Sequence, residues 1–193
     1  MRKGFTLAEV LITLGIIGVV AALTMPSLIQ NFKRKEVSVK LKKFHSMMSQ
    51  AVLLAEIENG KTKEWDFSLS SSAFFEQYLK PYLKTTSTNY ANDTMYFADG
   101  SKVIFSRGAC VDFVFDTNAE KRPNSNGYDR FMFSICPAQS SEWCGEKGWC
   151  ATRPTVNDTR EKALAYCKTN SRFCAGFLEF DNFEFKDDYP YKF

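Results

Sequence analysis

From Phe5 to Ile29 the chain reads FTLAEVLITLGIIGVVAALTMPSLI, an apolar run broken by one charged residue, Glu9. About 25 such positions suffice for a helix to cross the hydrocarbon core of a bilayer. Beyond Pro26 the apolar positions thin out and become periodic. Phe32, Val37, Leu41, Phe44, Met48, Ala51 and Ala55 recur mostly three or four apart. Lys33, Glu36, Lys40, Lys43, Gln50 and Glu58 fill much of the other face. That spacing predicts an amphipathic helix to Asn59, closed by Gly60. Joined to the apolar run, it gives one helix of roughly 50 residues, about 75 Å long at 1.5 Å per residue. Pro26 removes the hydrogen bond to the Ala22 carbonyl and predicts a kink or break.

The pattern then changes. Residues 61–90 mix Trp65, Phe67, Phe74, Phe75, Tyr78 and Tyr82 with Ser and Thr. A short helix is expected over Ser72–Leu79, ending near Pro81, and Thr85–Asn89 reads as loop. Two alternating runs, 94–98 and 102–106, flank Asp99-Gly100, a strong hairpin signal. Further strands are expected over 111–115 and 131–135, and a helix from Asp158 to Cys167. Ala175–Phe180 and Phe183–Phe185 read as a last strand pair turning at Asp181-Asn182. The predicted fold class is α+β: a long N-terminal helix, spanning a membrane in its first half and amphipathic in its second, packed on a C-terminal antiparallel sheet braced by disulfides.

Cysteine usage sharpens this. All six cysteines lie in the second half of the 193-residue chain. An even count without C-x-x-C knuckles points to disulfides in an oxidising compartment. Six cysteines allow 15 pairings. Local closure favours Cys110–Cys136, Cys144–Cys150 and Cys167–Cys174. The one histidine, His45, excludes chemistry that needs two, including the common zinc motifs. A net charge of +3, with no basic stripe in residues 91–193, argues against nucleic acid as a partner. Nothing resembles a catalytic constellation, so an enzyme is not expected.

Three readings compete for the N-terminal run. A secretory signal peptide has an apolar region of about 7–15 residues ending in small residues; this run is longer, and Ala21-Ala22 lies inside it. A plain anchor leaves Glu9 unexplained, since a carboxylate in lipid costs about 2.5–3.5 kcal/mol on insertion scales. The third reading accounts for Glu9. Lys3-Gly4, then Phe5-Thr6-Leu7-Ala8-Glu9, then an apolar stretch, closely resembles the prepilin signal of type IV pilins and type II secretion pseudopilins.

The resemblance implies cleavage after Gly4 by a prepilin peptidase, methylation of the new Phe5 amine, and a role for Glu9 and Pro26 in assembly. Opposite charges in lipid are best satisfied by each other. Glu9 would therefore pair with the Phe5 amine of its own chain or of a neighbour. Implied partners are pilin-like subunits in a homo- or hetero-polymer, an inner-membrane assembly platform with its ATPase, and membrane lipid. The implied location is the inner membrane, as a single-pass protein, and then a periplasmic or extracellular fibre. The alternative is a non-polymerising, membrane-anchored extracytoplasmic binding domain. The expected organisation is a leader (1–4), a transmembrane assembly helix (5–30), an amphipathic continuation (31–60) and a globular head (61–193).

Two features stay open. The basic flank Lys33-Arg34-Lys35 exceeds the leader in charge, so the positive-inside rule alone would put the head in the cytoplasm, against the disulfides and the prepilin signal. The loop holding Asp112, Asp116, Asn118, Glu120, Asn124, Asn126 and Asp129 is rich in oxygen ligands. It reads as a Ca²⁺ site near Asp112, Asp116, Asn118 and Asp129, or as a connection built from turn formers. Its spacing does not fit the EF-hand template, and the expectation is no metal or cofactor.

Overall fold

The computed structural model describes residues 4, 6–137, 141–145, 148–155 and 157–193, with residues 141 and 142 described in backbone only. The first element is α1 (Leu7–Asn59), a single 53-residue helix. It runs unbroken through Pro26, so of the expected kink or break the break does not occur. A proline deletes only one main-chain bond of the ladder. Around it, Thr24 donates its hydroxyl to the Val20 carbonyl and Ser27 to the Thr24 carbonyl. Gly60, with φ of 76°, ends the helix.

Short pieces follow: α2 (Ser71–Tyr78), then β1 (Ser87–Asn89), β2 (Thr94–Tyr96), β3 (Lys102–Arg107), β4 (Val111–Asp116) and β5 (Arg130–Ile135). A four-residue helix α3 (Ser141–Cys144) leads to β6 (Trp149–Ala151). Two helices, α4 (Arg160–Thr169) and α5 (Cys174–Phe180), complete the order. The six strands pair in sequence order, β1 to β6, all antiparallel. The fold is a meander with one long helix across it, of class α+β as expected.

Alternation along the strands places the core. Val111, Phe113 and Phe115 of β4 lie opposite Ile135, Phe133 and Phe131 of β5, and all six are buried. Val37, Leu41, Phe44, Met48, Ala51, Val52 and Ala55 form the buried stripe of α1. Phe44 sits at its centre, stacked on Phe115 at 4.2 Å and edge-on to Phe97, Phe133 and Trp149. The Asp99-Gly100 hairpin forms as expected between β2 and β3, with Gly100 at φ 78°, a left-handed conformation that turns tolerate best with glycine.

Two further expectations fail. Residues 87–89, read as loop, form the edge strand β1. Residues 175–180, read as a strand, are α5, and 183–185 form no strand. A short apolar run such as Ala175-Gly176-Phe177-Leu178 has no periodicity that separates a buried strand from a buried helix. Asp181-Asn182 closes a helix instead of a hairpin: Asn182 and Phe183 have φ of 51° and 57°, and the Phe183 amide donates to the Leu178 carbonyl at 2.6 Å. This is the left-handed closure typical of helix ends. The sixth strand comes from the disulfide loop, as β6.

Disulfides join Cys110 to Cys136, Cys144 to Cys150 and Cys167 to Cys174. The first ties the start of β4 to the end of β5, the second ties α3 to β6, and the third ties α4 to α5. The C-terminal segment caps the core. Tyr189 is buried and donates its hydroxyl to the Gly127 carbonyl at 2.5 Å. Tyr191 and Phe193 pack beside it.

Candidate assembly helix and the cleft at its head junction

Along α1 the environment changes once. Leu7 through Ile29 are exposed except Ala21, which is half-buried. The first buried residue is Val37. The exposed stretch covers 23 residues, about 35 Å of helix at 1.5 Å each, against roughly 30 Å for a bilayer core. It is the one helix among the described residues long and apolar enough to cross a membrane. The other half is fixed to the sheet by the Phe44 cluster, so the apolar rod projects from a rigid head. Pro26 lies inside this exposed stretch.

Gly4 is exposed ahead of the helix, while Phe5 lies outside the described residues. Glu9 occupies the first turn of α1. Its Oε2 accepts from the Thr6 amide and the Thr6 hydroxyl, both at 2.8 Å. The Glu9 amide in turn donates to Thr6 Oγ1. This is a reciprocal capping box, in which Thr and Glu three apart satisfy two otherwise orphaned donors at a helix start. The sequence carried that signal as Thr6-x-x-Glu9, and the assignment of Glu9 to charge pairing alone passed over it.

Of the four candidate calcium ligands, three lie together, since Asn118 donates its backbone amide to Asp116 Oδ1 and its Nδ2 to Asp129 Oδ2, both at 3.2 Å, and Asp112 stands apart. Asp112 lies four residues from Asp116 along β4, about 13 Å at 3.3 Å per residue. Its carboxylate accepts from Ser134 Oγ at 2.7 Å, and burial pushes that carboxyl above its ordinary range. Asp116 is buried and accepts from Arg130 Nε at 2.9 Å. Burial raises its carboxyl more than Arg130 lowers it. Asp129 accepts from the amides of Asn124 and Ser125 at 2.8 and 2.7 Å and from Asn118 Nδ2 at 3.2 Å. The chain's own donors thus hold these oxygens and shape the β4–β5 loop. Among the described residues, no group of three or more His, Cys, Asp or Glu is placed to hold a metal ion.

That loop forms one wall of a cleft of about 450 Å³, whose other wall is α1 just beyond the apolar stretch. Lys33 of α1 and Lys121 and Arg122 of the loop line it. In the sequence Lys33 stands out only as part of the polar helix face and of a basic flank. Nothing in the sequence signals that a loop some 90 positions later meets it.

Comparison with known proteins gives two matches. Residues 1–25 match the prokaryotic N-terminal methylation motif. The chain therefore carries a type IV pilin-like signal, and its apolar helix fits membrane anchoring. No curated protein and no solved structure matches. Residues 27–193, the remainder of α1 and all of the head, match a family model described as a family of unknown function (DUF6613). The match covers most of the chain, which belongs to that family.

Proposed function

We propose that the protein is a structural subunit of a type IV pilus or a type II secretion pseudopilus, cut after Gly4 by a prepilin peptidase and polymerised through α1. One observation carries this reading. The apolar half of α1 is bare from Leu7 to Ile29 and continues, without a break, into a half locked to the head. An exposed apolar surface of that extent needs a cover. Lipid supplies it for the single subunit, and the same segments of neighbouring subunits supply it in a fibre. In this reading residues 1–4 are the leader, 5–30 the membrane and assembly segment, 31–60 the link into the head, and 61–193 the exported domain. An inner-membrane platform would lift the mature chain from the bilayer into a periplasmic or extracellular fibre.

Glu9 supports the reading through its position. Its carboxylate lies one turn from where cleavage would create a charged amine at Phe5. Pairing with the amine of the next subunit would remove two charges from the apolar fibre core and set the axial register. The test is Glu9→Ala, expressed in the native host and fractionated by shearing. The chain should move from the sheared-fibre fraction to the membrane fraction, while the head keeps its disulfides. Polymerisation of Glu9→Ala at the native level would refute the role of Glu9. A native chain found only in membranes would favour the non-polymerising anchored domain.

A further inference from the structure

We propose that the cleft between α1 and the β4–β5 loop binds the headgroup of an anionic phospholipid, holding the head against the membrane surface. The inference rests on the reading of residues 7–29 as the membrane segment. Lys33 lies four residues past Ile29, about 6 Å along the helix. The headgroup layer of one leaflet is about 5–8 Å thick. Lys33, the cleft residue nearest the apolar stretch, therefore sits at headgroup depth, and exposed Leu28 and Ile29 run beside the acyl chains below it.

The charge of the cleft is what a phosphate requires. Lys33, Lys121 and Arg122 line it and are exposed, and among the described residues none of the three makes an ion pair. Two of the three carboxylates in its walls are paired with lysines, and the third is held by neutral donors. Glu36 faces Lys40 at 3.1 Å and Asp99 faces Lys43 at 2.7 Å, while Asp129 accepts from three nitrogens of its own loop. Three cations are left facing the opening, and one is an arginine, whose planar fork suits phosphate oxygens.

The volume of about 450 Å³ admits a phosphate with its glycerol. This also gives the basic flank a role. In a chain exported with its head outward, Lys33 holds the anionic surface of the leaflet it emerges from, so its charge is compatible with that orientation.

The test uses the full chain in nanodiscs of phosphatidylcholine containing a minority of phosphatidylglycerol, with retained lipid counted by native mass spectrometry. The wild type should retain phosphatidylglycerol over phosphatidylcholine. Each cation near an anionic surface is worth about fivefold, so Arg122→Gln should lose about that factor and Lys33→Gln/Lys121→Gln/Arg122→Gln well over tenfold. Lys63→Gln/Lys168→Gln, remote from the cleft, should retain lipid as the wild type does. Equal retention of the two lipids by the wild type, or no loss in the triple variant, overturns the inference. So does displacement of the lipid by millimolar inorganic phosphate, which would make the cleft a site for the free anion. Failure of the chain to enter phosphatidylcholine nanodiscs at all would remove the membrane reading and this inference with it. Entry without lipid preference removes this inference alone.

Discussion

Phe44→Ala tests whether the head holds α1 as the structure describes. Phe44 is 1% exposed and contacts four rings from β2–β6 and the turns beside them: Phe115 at 4.2 Å, Phe133 at 5.2 Å, Trp149 at 5.9 Å and Phe97 at 6.1 Å. Truncating a buried Phe to Ala costs about 3–5 kcal/mol, through lost transfer energy and the cavity left behind. Alanine is the best helix former, so the loss reports packing and not helix propensity. With a urea slope of about 2 kcal/mol/M, the midpoint should fall by about 1.5–2.5 M. The assay is urea titration of the oxidised chain in mild detergent, read by fluorescence. Trp149 is buried and reports loosening of the cluster directly. Phe32→Ala is the control, since Phe32 is 71% exposed. It should stay within about 0.5 kcal/mol of the wild type. A Phe44→Ala loss below about 1 kcal/mol, or equal losses for both variants, would refute the packing of α1 on the sheet.

Removing Cys110–Cys136 should destabilise more than removing Cys167–Cys174. The loops span 26 and 7 residues, which chain entropy converts to about 3.5 and 2.4 kcal/mol, and equal losses on paired Cys→Ser denaturation would contradict this. Arg160 donates to Asp181 at 2.6 Å and to Asp188 at 2.8 Å. Its hydrogen bonds to Asp181 hold that buried carboxyl below its ordinary range. A depressed carboxyl stabilises the fold above its unfolded pKa of about 3.9, and that stability disappears as pH falls through the lower folded value. Arg160→Gln should therefore cost about 1–3 kcal/mol near neutrality, and that cost should shrink as pH falls below about 3.9, measured by thermal melts across pH. Asp112 has the opposite sign. Burial raises its carboxyl, so its ionisation opposes folding as pH rises past the ordinary range. Asp112→Asn, which keeps an oxygen for Ser134, should raise the melting temperature at pH 7 and not at pH 3.

Much of the architecture was legible because two periods dominate the chain. The three-to-four spacing from Val37 to Ala55 survives as the buried stripe of α1, and the runs 102–106, 111–115 and 131–135 all lie in strands; Phe32 falls outside the stripe and is exposed, and β5 is buried at every position from Phe131 to Ile135. Where no period exists, reading failed. Ala175–Leu178 is apolar at successive positions and became a helix. Trp149–Ala151 is too short to announce a strand, yet β6 completes the sheet because Ser134↔Cys150 and Ile135↔Trp149 extend β5. The membrane segment and Thr6-x-x-Glu9 were local and therefore readable. The cleft was not, because it joins Lys33 to Lys121 and Arg122 through tertiary packing alone.

The central claim is that the exposed N-terminal helix belongs to a processed assembly subunit. N-terminal mass spectrometry of the protein recovered from native membranes tests it most directly. Processing predicts a mature chain that begins at a methylated Phe5, with residues 1–4 gone. An intact Met1, or a cut after Ala21 or Ala22, would contradict it.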